Sequence, residues 1–165
     1  MGFTRYWGFN KKANKKEREK IIEVMSLIID LEKEKLTGFD GDKETPIEIK
    51  KTCVSFNGIG GDSHETFCFI PSTKPDDFNF CKTANKPYDR AVWACLIAAK
   101  RILGKKIDVS SDGPGDEDLL ALKMVDDILG PELKEVKPEP EKVKPKPKLT
   151  KFGKAILTLV EGGKK

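Results

Sequence analysis

The composition of the chain breaks at Pro131. Residues 131–148 read PELKEVKPEPEKVKPKPK, with Pro138, Pro140, Pro145 and Pro147 set among lysine and glutamate and few apolar side chains. Such a segment cannot bury enough surface to offset the entropy of ordering it, and it is expected to be an extended, polyproline-like spacer. A folded core must therefore come from residues 1–130. At 165 residues and 38% hydrophobic content, the chain has room for one domain with a real core. Beyond the spacer, residues 149–165 turn apolar again. Leu149, Phe152, Ile156, Leu159 and Val160 fall at helical spacing, with Lys148, Lys151 and Lys154 off that face. The expected organisation is a globular domain (1–130), an extended linker (131–148) and an amphipathic C-terminal segment (149–165).

Charge follows the same division. Of the formal +4, residues 131–165 carry ten Lys and five Glu, which leaves 21 basic and 22 acidic residues in the body. A nearly neutral body is not an electrostatic footprint for nucleic acid. No apolar run approaches the roughly 20 residues needed to span a bilayer. The start, MGFTRYWGFNKK, lacks the order of a signal peptide. The expectation is a cytoplasmic protein whose four cysteines (Cys53, Cys68, Cys81, Cys95) are free thiols, buried as small apolar residues.

Within the body, Phe3–Phe9 alternates and is aromatic, a strand pattern. Asn14 is placed to cap a helix in which Ile21, Val24, Met25, Ile28 and Leu31 recur on one face. Ile47–Phe56 and Thr66–Ile70 read as a second and a third strand. The proline-punctuated PSTKPDDFNFCKTANKP reads as an irregular connection. A helix follows Tyr88-Asp89, with Val92, Cys95, Leu96, Ala99, Ile102 and Leu103 as its buried face and Gly104 as its stop. Lys106–Ser110 is a fourth strand, and Ala121, Leu122, Val125, Ile128 and Leu129 mark a last helix. The order β-α-β-β-α-β-α predicts an α+β fold, a ferredoxin-like sandwich with an extra C-terminal helix.

The densest chemistry lies in FNGIGGDSHETF, residues 56–67, which holds the only histidine beside Glu65. His64 and Glu65 could act as acid and base. The bland alternative is a Gly-rich hairpin loop whose closure the polar His64 pins. No second histidine completes HExxH and no Gly-Lys-Ser/Thr follows the glycines. A zinc set of Cys53, His64, Cys68 and Cys81 lacks a CxxC knuckle, so no metal and no cofactor is assigned. A second cluster comprises Lys82, Thr83, Tyr88, Asp89, Ser110, Ser111 and Asp112, candidates for binding a small ligand. In the plainer reading, Asp89 caps the helix after Pro87-Tyr88 and Asp112 supports a turn. Cys81 beside Lys82 could be a lowered-pKa nucleophile, but a histidine partner would have to be His64. The ferredoxin-like topology places His64 and Glu65 at the opposite pole from both groups, about 15–20 Å away at ~3.3 Å per strand residue. Tyr6, Trp7 and Trp93 are expected in the core.

The ordered set GFTRYWGF, FNGIGGDSHETF, FCKTANKPYDRAV and VSSDG, over roughly residues 2–128, resembles a group of short proteins encoded by bacteriophages and related mobile elements. The resemblance implies a biological setting and no particular reaction. The expected function is a phage-type accessory protein, a non-catalytic module that docks a host or viral protein partner through Leu149, Phe152, Ile156, Leu159 and Val160. The alternative is a small hydrolase-like enzyme acting on a nucleotide-like or other small substrate.

Overall fold

A computed structural model describes residues 3–71, 74–75, 77–113 and 119–131. They belong to one compact unit, Met1–Glu132; Leu133–Lys165 forms a second unit. The spacer and the amphipathic segment, including Leu149, Phe152, Ile156, Leu159 and Val160, lie outside the described residues.

The described elements, in chain order, are β1 (Thr4–Phe9), α1 (Lys15–Glu32), β2 (Leu36–Thr37), β3 (Glu48–Lys50), β4 (Cys53–Gly58), β5 (Phe67–Phe69), β6 (Phe78–Lys82), α2 (Asp89–Leu103), β7 (Ile107–Ser111) and α3 (Leu119–Leu129). The protein is α+β. In the ferredoxin-like order the expected third strand, Thr66–Ile70, would lie antiparallel beside the first; that place is taken by β6, while β5 pairs with β4. Here β1 is the centre of a three-stranded sheet in the order β6-β1-β7, antiparallel on both sides. A second antiparallel sheet is centred on β4, which pairs with β2, β3 and β5.

The reason is visible in the aromatic residues. Phe56, Phe67 and Phe69 do not extend the first sheet edge to edge; they pack against its inner face. Trp7 meets Phe67 at 5.4 Å and Phe69 at 6.2 Å between ring centroids, and Phe9 meets Phe69 at 5.7 Å. Tilted rings at such separations are favourable beyond the area they bury. The strand beside β1 is instead β6, which lies within the stretch expected to be irregular.

α2 is buried nearly all round, from Ala91 to Ala99. It packs against α1, α3, β1 and β7. A helix apolar on every side belongs at the centre of a core. On α1, Ile21, Val24, Met25, Ile28 and Ile29 are buried, whereas Leu31, expected on that face, is exposed. Gly104 ends α2 at φ +56°, its N–H donating to Lys100 O, a backbone state that glycine adopts without strain.

α1 opens with a capping box. Glu17 N donates to Asn14 Oδ1 at 2.9 Å, and Asn14 N donates to Glu17 Oε2 at 2.7 Å. Lys106 Nζ donates to Glu17 Oε1 at 2.6 Å, tying the helix start to the turn before β7. The lysine first, and then the Asn14 amide, hold the Glu17 carboxyl below its usual range. A lowered folded-state pKa stabilises the fold above the unfolded value, and that contribution is lost as pH falls through the folded value. Asn14→Ala should cost about 1 kcal/mol in denaturant unfolding at neutral pH. Glu17→Gln should destabilise at neutral pH, and its deficit relative to wild type should shrink on acidification below about pH 4.5.

Candidate functional site

The most constrained polar group of the body is Arg5 on β1. Its inward position buries the guanidinium, with a side chain 2% exposed. Asp89, the first residue of α2, meets it with two bonds: Nε to Oδ1 at 3.0 Å and Nη2 to Oδ2 at 2.6 Å. Thr83 Oγ1 donates to the same Oδ1 at 2.5 Å. The guanidinium carbon lies 4.3 Å from the Trp93 ring centroid and 4.5 Å from that of Phe3. Asp89 is therefore not the side-chain cap expected of it. The N-cap position is Tyr88, without a side-chain cap bond, and the Asp89 carboxylate is spent on Arg5 and Thr83. Thr83 and Asp89, assigned as ligand binders, are both buried and already paired.

The loop at residues 58–66 is pinned by Asn57, which is buried at the end of β4. Its Oδ1 accepts from Gly58 N at 2.8 Å and His64 N at 3.1 Å; its Nδ2 donates to His64 O at 3.0 Å and Thr66 Oγ1 at 3.2 Å. Gly58 has no room for a side chain: a Cβ there would stand 2.1 Å from Asp62 O and 2.9 Å from a Tyr88 ring carbon. This is a closed turn held by a buried amide. His64 itself is exposed, and among the described residues its imidazole makes no hydrogen bond.

The expected separation of His64–Glu65 from Lys82 is overturned. Glu65 lies against the end of β6: Glu65 N donates to Lys82 O at 3.2 Å, and Lys82 N donates to Glu65 Oε2 at 2.6 Å. Tyr88 Oη donates to Glu65 O at 2.7 Å, and Cys81 Sγ approaches the same oxygen at 3.3 Å. The contact arises because β6, not the third expected strand, occupies the edge beside β1. The Glu65 carboxylate accepts from a backbone N–H through Oε2. The Cys81 thiol is buried, and burial pushes its pKa up to about 12, so it is protonated and a poor nucleophile at neutral pH.

Lys82 and Asp112 flank Thr4 from the two sides of β1. Lys82 is its partner in the ladder, and Thr4 N donates to Asp112 Oδ1 at 2.6 Å. Tyr6 Oη donates to Asp112 Oδ2 at 2.9 Å. These bonds hold the Asp112 carboxyl below its ordinary range, the backbone N–H of Thr4 first. Ser110 and Ser111 lie on β7 opposite Tyr6 and Arg5; Ser111 Oγ donates to Thr4 O at 3.3 Å.

The alternation of β1 leaves Tyr6 on the outer face of the sheet, beside Phe80 and Phe78 of β6. Tyr6 and Phe78 stack at 5.7 Å, and Phe78 and Phe80 lie 6.4 Å apart. Phe78 is 70% and Phe80 56% exposed. Tyr6, expected in the core, is thus half-buried on this outer face, whereas Trp7 and Trp93 are buried. Neither phenylalanine is a candidate on sequence grounds. The available signal is the alternation Phe78-x-Phe80-x-Lys82 itself, hidden among prolines and aspartates.

Of the four free cysteines, Cys81 and Cys95 are buried, Cys53 is half-buried and Cys68 is exposed, so burial holds for two of the four. Among the described residues no three His, Cys, Asp or Glu side chains are grouped to hold a metal ion, and no helix is long and apolar enough to cross a membrane. A surface concavity of about 430 Å³ is lined by Lys35, Lys43, Glu34, Asp62 and the Gly60-Gly61 backbone, a balanced set of charges apart from His64 and Lys82. Compared with known proteins, the chain matches no family model, no curated protein and no solved structure at a significant level.

Arg5→Ala should cost about 3–5 kcal/mol, because it strands the buried Asp89 charge, whereas Arg5→Met with Asp89→Leu should recover much of that loss. Chemical denaturation of the three variants measures the difference. His64→Ala should leave stability within about 0.5 kcal/mol of wild type. Asn57→Ala should cost about 1–3 kcal/mol through the polar groups it leaves unpaired, and should speed hydrogen exchange at the His64 amide.

Proposed function

We propose that the protein is a non-catalytic protein-binding module, a phage-type accessory factor that acts in the host cytoplasm on a host or viral partner. The observation that carries this reading is the contiguous aromatic cluster of Tyr6, Phe78 and Phe80 on the outer face of the first sheet, with both phenylalanines exposed. Contiguous exposed aromatic surface is the usual mark of an interaction site. The polar residues considered for chemistry support the same reading from the other side. Glu65, Thr83, Asp89 and Asp112 are engaged in holding the fold, and the Cys81 thiol is buried. The amphipathic residues Leu149, Phe152, Ile156, Leu159 and Val160 supply a second docking element in this proposal, carried on the proline-rich spacer.

The near-neutral charge of the body favours protein over nucleic acid as the partner. The hydrolase reading gains the proximity of Glu65 to Lys82, but the Glu65 carboxylate is engaged by the Lys82 backbone N–H.

Affinity capture from the infected or native host, with the full chain as bait, tests the proposal. Phe78→Ser with Phe80→Ser, or deletion of residues 149–165, should reduce capture of a specific partner at least tenfold with little change in the melting temperature. Capture indifferent to both changes would sink this reading.

A further inference from the structure

We infer that the outer edge of β6 pairs with the same edge of a second copy of this chain, joining two three-stranded sheets into one six-stranded sheet. The inference deepens the binding-module reading and rests on it for the surface concerned.

The direction of the backbone groups fixes the edge. Thr83 N donates to Phe3 O, so in the β1–β6 ladder residues 79, 81 and 83 turn their N–H and C=O toward β1. Residues 78, 80 and 82 then face outward. Lys82 bears this out, since its outward N–H and C=O are both taken by Glu65. The outward groups of Phe78 and Phe80 have no partner among the described residues. They form a short free edge, closed at one end by Glu65 and carrying two exposed phenylalanines. An uncovered apolar edge invites strand pairing, and soluble proteins blunt or cover such edges.

Self-pairing satisfies every element of this edge. A twofold axis at Asn79 sets Phe78 opposite Phe80 of the partner copy, and Phe80 opposite its Phe78. Both are hydrogen-bonded pairs, giving four new backbone bonds. A register centred on Phe80 would need the outward groups of Lys82, already bound to Glu65. Centring on Phe78 leaves Phe80 without an opposing strand residue, because β6 begins at Phe78. The Asn79 register also sets Phe against Phe on the outer face and extends the Tyr6–Phe78 stack across the axis. Charge is complementary: β6 is preceded by Asp77 and ends in Lys82, so antiparallel pairing brings the acidic end of one copy beside the basic end of the other.

The test uses the full chain. Sedimentation equilibrium across a hundredfold concentration range should show a monomer–dimer equilibrium, with Phe80→Lys raising its dissociation constant at least tenfold. Because Phe80 is exposed, the melting profile of dilute Phe80→Lys should match that of dilute wild type. Hydrogen exchange at the Phe78 and Phe80 amides should slow at least tenfold between dilute and concentrated wild type. Asn79→Cys in a Cys68→Ser background should oxidise to a disulfide-linked dimer. Directly opposite, non-hydrogen-bonded residues lie about 4.5 Å apart at Cα, within disulfide reach. A monomer at all concentrations, or a dimer indifferent to Phe80→Lys in which the Asn79→Cys variant forms no cross-link, overturns the inference. If the chain is monomeric but Phe78→Ser with Phe80→Ser still abolishes host-partner capture, the edge serves a foreign strand: the second copy is refuted while the binding reading survives. A monomer whose capture is also unaffected by the Phe78 and Phe80 changes or the tail deletion refutes both.

Discussion

The ion pair between Arg5 and Asp89 is the constraint on which the rest of this arrangement depends. It joins the central strand of the first sheet to the first turn of the central helix, two elements 84 residues apart in the chain. Two buried charges are tolerable only together, since either alone would be stranded away from water. Thr83 makes a third contact to the carboxylate, and Trp93 and Phe3 stack on the guanidinium. Arg5 Nη1 is buried without a hydrogen-bond partner among the described residues, so the ring contacts carry that side of the cation. Such a pair adds little net stability compared with apolar residues of the same size. Its consequence is geometric: it fixes where α2 begins relative to β1.

That fixed point governs the candidate site. Between Thr83 and Asp89 the chain turns sharply, with Ala84 and Asn85 at positive φ. The turn sets Tyr88 against Gly58 and beneath the Glu65 carbonyl. Lys86 Nζ donates to Gly61 O at 2.8 Å, adding a second tie. The histidine-bearing loop is thus held from below by Tyr88 and from within by Asn57. Groups that looked available for chemistry are the ones that close this junction, and the imidazole, left over, points to no partner among the described residues.

The two faces of the first sheet differ in what they carry. Its inner face carries Arg5, Trp7, Phe9, Cys81 and Ile107 into the core. Its outer face keeps Tyr6, Phe78 and Phe80 in contact with water, at a cost that an isolated domain gains nothing from. A strand with apolar residues on its exposed side and a cysteine and an asparagine on the other inverts the ordinary pattern. That inversion is why the surface escapes detection in the sequence.

Local physics made much of the fold legible in advance. The Asn14 cap with Glu17, the apolar stripe of α1, the run of α2 ending at Gly104, and the strand patterns of β1, β4, β5 and β7 all depend on neighbours within a few residues. The α+β class followed from their order. Pairing was decided only in three dimensions. β6 competes for the edge of β1 through backbone bonds that no side-chain pattern records, and the phenylalanines of β5 find Trp7 and Phe9 by packing face to face. Roles were decided there too: Asp89 abandoned the helix cap for an arginine that sequence proximity could never have suggested. Periodicity reports which side of an element is greasy, whereas partners separated by eighty residues are chosen by the whole folded chain at once.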